Sequence, residues 1–261
     1  MSRLAEPAAP APPDRPSNLV GAAILAVWLV MGTALLIAPQ SPHVLTFAFV
    51  MVGWLLSVMA HEFAHALVGW FGGDHTVKAK GYLDFDPRRY GSWQTTILIP
   101  LAALALGGVG FPGGAVYLRA DLMRGPLWRS AAALAGPAAT AAILLGLAAL
   151  LHLWAGRGPP NGDLYPALSL LAFLQAMALI LNLLPLPGLD GFNAIRPFLP
   201  ASWAPALRRI EGLATLALLG LIFFVPGGGA LLFRIAARLS LALGLHGDAL
   251  QQGWDAFHFW R

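Results

Sequence analysis

The stretch VLTFAFVMVGWLLSVMAHEFAHALVGWF, residues 44–71, decides how the chain is read. It is long enough to cross the roughly 30 Å hydrocarbon core of a bilayer, yet its second half carries His61, Glu62 and His65. Ionisable groups inside a span are costly unless paired or ligating, so they mark a functional site by default. Histidines at i and i+4 share one helix face, a turn apart, and both rings can reach one metal ion. Glu62, beside the first, can then touch a water at that ion, whose proton the ion makes easier to remove. The plainer reading is a hydrogen-bonded polar cluster that packs two helices together.

Outward from this stretch the chain is a series of apolar runs. Of its 261 residues 58% are hydrophobic and 11% charged, whereas a soluble domain carries about a quarter charged residues. The expected architecture is all-α: a polytopic membrane helix bundle of about 5–6 crossings. Residues 1–17, rich in Pro and Ala, read as a disordered N-terminal tail. The first run covers Leu19 to Ala38, and further runs span Ser130 to Trp154, Leu164 to Leu186, Glu211 to Val225 and Ala230 to Leu245. The last carries Arg234 and Arg238 four apart, which suits an interfacial helix as well as a crossing. The main domain is expected over 18–245, with its core at 44–192 and a C-terminal tail at 246–261. The alternating Gly81-Tyr82-Leu83-Asp84-Phe85-Asp86 reads as a short strand after the His61 helix.

There are 16 Lys+Arg against 12 Asp+Glu, for a formal charge of +4. The basic residues sit in short loops between apolar spans, where they orient a chain in a membrane, and nucleic acid is not expected as a partner. With no cysteine, thiolate catalysis, disulfides and cysteine-ligated metals are excluded. A metal held by His61 and His65 needs a third protein ligand to form a catalytic site. Most acids lie in tails or polar loops. Asp190 closes an apolar run between Gly188 and Gly191, and beside the spans it shares its position only with Glu62 and the boundary residue Glu211. Standing alone it would read as a turn aspartate; the need for a ligand favours it as the third. His43, His75, His152, His246 and His258 fall at run ends or in loops and read as solvated.

Three segments in series, HEFAH (61–65), AGPAAT (135–140) and NLLPLPGLDG (182–191), resemble the motifs of the site-2 protease family of intramembrane metalloproteases. The last matches an Asn-x-x-Pro-x-x-x-Leu-Asp-Gly pattern through Asn182, Pro185, Leu189, Asp190 and Gly191. The likeness covers roughly residues 44–192 and the small bacterial type without a PDZ domain. It implies His61, His65 and Asp190 as ligands of one zinc ion per chain and Glu62 as the general base. Asn182 is implied as a substrate-binding residue that positions the substrate backbone or stabilises the oxyanion. A bacterial cytoplasmic membrane is implied as well. Thr140 stands where the family often has Asn.

Charge gives an independent topology. If Leu19–Ala38 runs from inside to outside, His61 lies roughly 24 Å into the returning span, in the inner half of the membrane. Asp190 reaches the same side only if residues 95–118, broken by Pro100 and Gly107–Gly114, form a re-entrant hairpin rather than a crossing. That arrangement puts twelve Lys and Arg inside and Arg157 outside, as the positive-inside rule asks. The expected activity is cleavage of peptide bonds in or near the transmembrane helices of membrane-protein substrates, from a site facing the cytoplasm. The competing expectation is a catalytically silent membrane protein of the same fold that binds or regulates partners. Transport would need ionisable residues spread over several helices.

Overall fold

One helix forms the axis of the molecule, and five of the others pack directly against it. The computed structural model describes residues 18–37, 43–90, 102, 104, 116–156 and 162–260, the side chains of Arg208 and Phe223 excepted. In chain order the helices are α1 (Asn18–Ile37), α2 (His43–Gly72), α3 (Thr76–Ala79), α4 (Pro126–Ala155), α5 (Leu164–Asn182), α6 (Asp190–Ile195), α7 (Ala204–Phe224), α8 (Ala230–Ala242) and α9 (Gly247–Phe257). No strand occurs among the described residues. α5 is the axis: fifteen of its nineteen residues are buried, which fits an apolar helix with no polar face to offer. α2 and α4 flank it and pack on each other as well.

Four helices, α1, α2, α4 and α5, are long and apolar enough to cross a membrane. In lipid the association of such helices rests on close packing and internal hydrogen bonds rather than on apolar burial. Gly53 of α2 shows the packing: its bare Cα lies against Trp28 of α1 and Leu171 of α5. Trp28 stacks on Phe49 at 4.9 Å and donates its indole N–H to the Phe49 carbonyl. The re-entrant hairpin expected near 95–118 lies almost wholly outside the described residues, as does the N-terminal tail.

Two expectations are corrected. Residues 81–86 are a chain of turns, not a strand. Gly81 sits at φ +73°, its N–H bonds Lys78, and the N–H groups of Asp84 and Asp86 bond back to Gly81 and Asp84. Asp86 then caps a 3-10 turn at Pro87–Arg89 by accepting from the Arg88 N–H at 3.0 Å. The apparent alternation reflects a turn that buries Tyr82 and Asp86 in its own interior. Residues 246–260 are not a tail: α9 lays Ala249, Gly253, Ala256 and Phe257 against α5 and α2. Phe257 and Trp260 pack on Phe47. α8, at 13 residues, measures about 20 Å and is short for a crossing. It buries Leu232, Ala236 and Ser240 while Arg234 and Arg238 stay exposed.

The loop after α2 is pinned by a fully buried carboxylate. Asp74 accepts from the Thr76 N–H and hydroxyl and, at 2.7 Å, from the Arg119 N–H. It thereby ties the 116–119 segment to the end of α2. Replacing Asp74 with Ala leaves these donors without their acceptor, at a cost of about 2–4 kcal/mol. Trypsin should then cut at Arg119 and Arg124 at temperatures where the helices are still intact by circular dichroism. Asp74→Asn should restore most of the resistance.

Candidate metal centre

The last turns of α2 carry His61, Glu62 and His65, all buried. The partner they meet comes from 125 or more residues away along the chain, at the start of α6. After α5 ends at Asn182 the chain turns through Gly188 at φ +99°, a backbone state that favours glycine, and the Leu189 N–H closes on Leu186. Asp190 follows as the first residue of α6. Its Oδ2 lies 3.1 Å from His61 Nε2 and 3.4 Å from His65 Nε2, and the two imidazole nitrogens are 3.0 Å apart. Among the described residues this is the one group whose donors converge on a point.

The outer ring nitrogens determine which atoms face that point. His65 Nδ1 lies 2.7 Å from the Ala132 carbonyl, which can only accept, so Nδ1 carries the proton and the Nε2 lone pair points inward. The same tautomer at His61 lets Nδ1 donate to Thr140 Oγ1 at 2.9 Å. Two nitrogen lone pairs and a carboxylate oxygen then face one another, an arrangement that a cation stabilises. The triangle they form is close to the face of a tetrahedron with bonds of about 2.0–2.1 Å, whose edges measure about 3.3 Å. The donor set therefore fits a small divalent ion that takes nitrogen and oxygen ligands.

α4 supplies the floor of this group. A side chain at Gly136 would collide with Nε2 of both His61 and His65, so the rings pack on bare backbone. Pro137 has no N–H for the carbonyl four residues back, and this turn of α4 is where the Ala132 carbonyl accepts from His65. Thr140, left without a role by the sequence, is buried and holds His61. Only tertiary structure reveals this, because the two residues are 79 apart in the chain.

Glu62 is 2% exposed, and its Oε2 accepts from the Val116 N–H at 3.1 Å. Val116 opens the segment that Asp74 pins, so Asp74 also fixes Glu62. A sequence reading that placed Asp74 in a polar loop missed this; the Asp-x-Thr spacing of an Asx turn was the available signal. Tyr90 packs nearby, and burial together with the charge of Glu62 pushes its phenol up from the usual range.

A cavity of about 830 Å³ opens onto the group, within the range of ligand sites. His61, Glu62, His65, Asp190 and Asn182 all line it. Where a strand at 81–86 was expected beside the site, the wall is formed by Val116–Leu118. The opposite wall is α7, through Ala204, Leu207, Glu211 and Thr215, three or four residues apart on one face. Glu211 pairs with Arg196 at 3.4 Å across the 195–204 turn. The other five histidines lie outside the metal-binding group.

A helical bundle with an HExxH helix and a distant aspartate at one metal-type centre defines a class of membrane-type metal-site protein. Comparison with known proteins places the chain more narrowly. It is 36% identical over 242 residues to "Putative zinc metalloprotease Rip2" of Mycobacterium tuberculosis, across 89% of this chain and 92% of that protein. A protein of the same name from Mycolicibacterium smegmatis is 43% identical over 175 residues, 66% of this chain and 64% of that one. "Putative zinc metalloprotease YwhC" of Bacillus subtilis is 27% identical over 190 residues, 71% of this chain and 84% of the other. No family model and no solved structure matches. The chain belongs to the site-2 protease family.

Two substitutions test the centre. Thr140→Val removes the acceptor for His61 Nδ1 and should weaken divalent-metal binding about 10–100-fold. Gly136→Ala should abolish it by displacing both rings. Metal content of the purified variants measures both, and helicity by circular dichroism should stay at the wild-type level.

Proposed function

We propose that this chain is an intramembrane zinc metalloprotease that hydrolyses peptide bonds in or near the transmembrane segments of membrane-protein substrates. The observation that carries the proposal is the meeting of His61, His65 and Asp190 at one point, with Glu62 lining the same cavity. His61 Nε2, His65 Nε2 and an Asp190 carboxylate oxygen would hold one zinc ion. Bound there, zinc would supply polarisation of the scissile carbonyl and a lowered pKa for a water beside it. Glu62 is placed to take a proton from the attacking water and to return it to the amine nitrogen that leaves as the C–N bond breaks. The Val116 N–H bond fixes the Glu62 carboxylate in a single orientation, which saves reorganisation during the reaction.

A substrate helix hides its carbonyls in its own hydrogen bonds, so it must unwind to present one to the site. The cavity wall supports this, because Val116–Leu118 is irregular backbone that can offer bonds to an extended chain. Asn182, which also lines the cavity, positions the substrate backbone or the developing oxyanion. The lipid bilayer encloses the bundle, in a bacterial cytoplasmic membrane as the family resemblance implies, and the loop charges support a site facing the cytoplasm. The competing role, a silent protein that binds or regulates partners, has no use for a buried Glu62 held at the centre.

Purified wild type should bind about one zinc and cleave a transmembrane model substrate. Glu62→Gln should bind the same zinc with the rate lowered at least about 10²–10⁴-fold, while Asp190→Ala should lose both metal and activity. Zinc-loaded wild type that cleaves nothing across several substrates would leave the silent role standing. An accessibility tag at residue 120 should report the cytoplasmic side; an external report overturns the topology.

A further inference from the structure

The α4 face that supports the metal ligands continues beyond them. Thr140, Gly136 and Ala132 contact His61, both imidazoles and His65 in turn. The next residue on that face, three positions toward Pro126, is Arg129. It lines the catalytic cavity, and its Nε is buried without a hydrogen-bond partner. A buried guanidinium N–H with no acceptor is unfavourable and seeks one.

The surrounding charges are otherwise engaged. Glu211 faces Arg196 at 3.4 Å, Asp190 faces the two histidines, and Glu62 accepts from Val116. Asp121, the nearest acid on the adjoining segment, is exposed and held by the Arg119 guanidinium through bonds of 2.9 and 2.7 Å. That contact keeps its carboxyl at about 2, with Arg129 adding a weaker pull. Among the described residues Arg129 is therefore the cavity cation with no ion pair.

We propose that Arg129 is a specificity-determining residue that receives an acidic side chain of the substrate, an Asp or Glu lying three to five residues from the scissile bond. This rests on the protease reading above. The span follows from geometry. Arg129 is seven residues from Gly136, or about 10 Å along the helix, and its side chain leans further toward the helix start. An extended peptide covers that distance at about 3.3 Å per residue. The planar guanidinium suits a carboxylate, which it can bind through two parallel N–H bonds.

The test is a transmembrane model substrate in which a single Asp is scanned from two to seven residues on each side of the cleaved bond, with Asn as the control at each position. Wild type should cleave the best Asp substrate about tenfold faster in kcat/KM than its Asn control, at a position three to five residues away. Arg129→Gln should level the series, Arg129→Lys should keep part of the preference, and Arg129→Glu should favour Lys at that position. The same peptides are titrated by fluorescence anisotropy onto zinc-loaded Glu62→Gln protein with and without the Arg129 substitutions, which reads recognition without turnover. Equal binding of Asp and Asn peptides, or an equal loss for all of them in Arg129→Gln, overturns the proposal even where proteolysis is intact. Charge-dependent binding without any cleavage in wild type would sink the protease reading and leave the Arg129 assignment standing. An Arg129 dependence that follows the anionic-lipid content of nanodiscs, and not the substrate residue, assigns the guanidinium to a lipid phosphate and overturns the proposal.

Discussion

The two imidazoles of α2 rest directly on the backbone of α4 at Gly136, and much of the surrounding structure follows from the closeness of that contact. A side chain there would occupy the space of both Nε2 atoms. Once the rings are that close, their outer nitrogens reach α4 as well, and Ala132 and Thr140 become their acceptors. The carbonyl then fixes the His65 tautomer, and both rings are held in orientation before any ion arrives. The helix contact and the metal ligation are therefore one structural device. Apolar burial between helices contributes little in lipid, so a polar contact that also orders the site gives the α2–α4 pair a unique register.

The aspartate completes the group by a different route. It is placed by the end of the central helix rather than by packing on α2. α5 is buried along nearly its whole length, so its last residue, Asn182, is held at a fixed depth, and the turn through Gly188 delivers Asp190 a few residues later. Gly191 lies so close to the Leu183 and Leu184 carbonyls that a Cβ would strike them. The turn is consequently tight, and the carboxylate has little freedom to swing away from the histidines.

How much of this was legible in the sequence depended on whether the signal was local. His61, Glu62 and His65 lie within one turn of a helix inside an apolar run, so spacing and the cost of burying charge identified them together. Asp190 was legible because it closes an apolar run and a third ligand was needed. Thr140 and Asp74 were not legible in their roles. A buried threonine in an apolar helix looks like packing, and an aspartate between Gly73 and His75 looks like a solvated turn. Their partners, His61 and Arg119, are 79 and 45 residues away. The alternation at 81–86 misled because period two describes a strand only when the backbone is extended, and Gly81 at positive φ breaks the extension at its first residue. Residues 246–260 misled for the opposite reason. Polar residues interrupt every apolar run there, and the burying face joins Phe257 to the small Ala249, Gly253 and Ala256, which score weakly as apolar yet allow α9 to lie against α5.

The cavity walls differ in character, and that difference bears on how a substrate enters. The wall made by α2 and α4 is built into the bundle, and its polar atoms are paired except at Arg129. The wall made by α7 has no buried residue among its described side chains. It approaches the site through the Arg196–Glu211 pair, where both side chains are about one-third exposed, and through Thr215 against Gly188. A partly exposed ion pair of this kind contributes little, about 0–1 kcal/mol. Local opening begins where few buried contacts resist it, and by that measure α7 is the wall expected to yield before the ligand-bearing helices. A chain arriving past α7 meets Glu62 and the metal ligands on the far wall, with Arg129 further along the same face. On the proposed function, chemistry and recognition lie together on the side built into the bundle, and access falls to the side with fewer buried contacts.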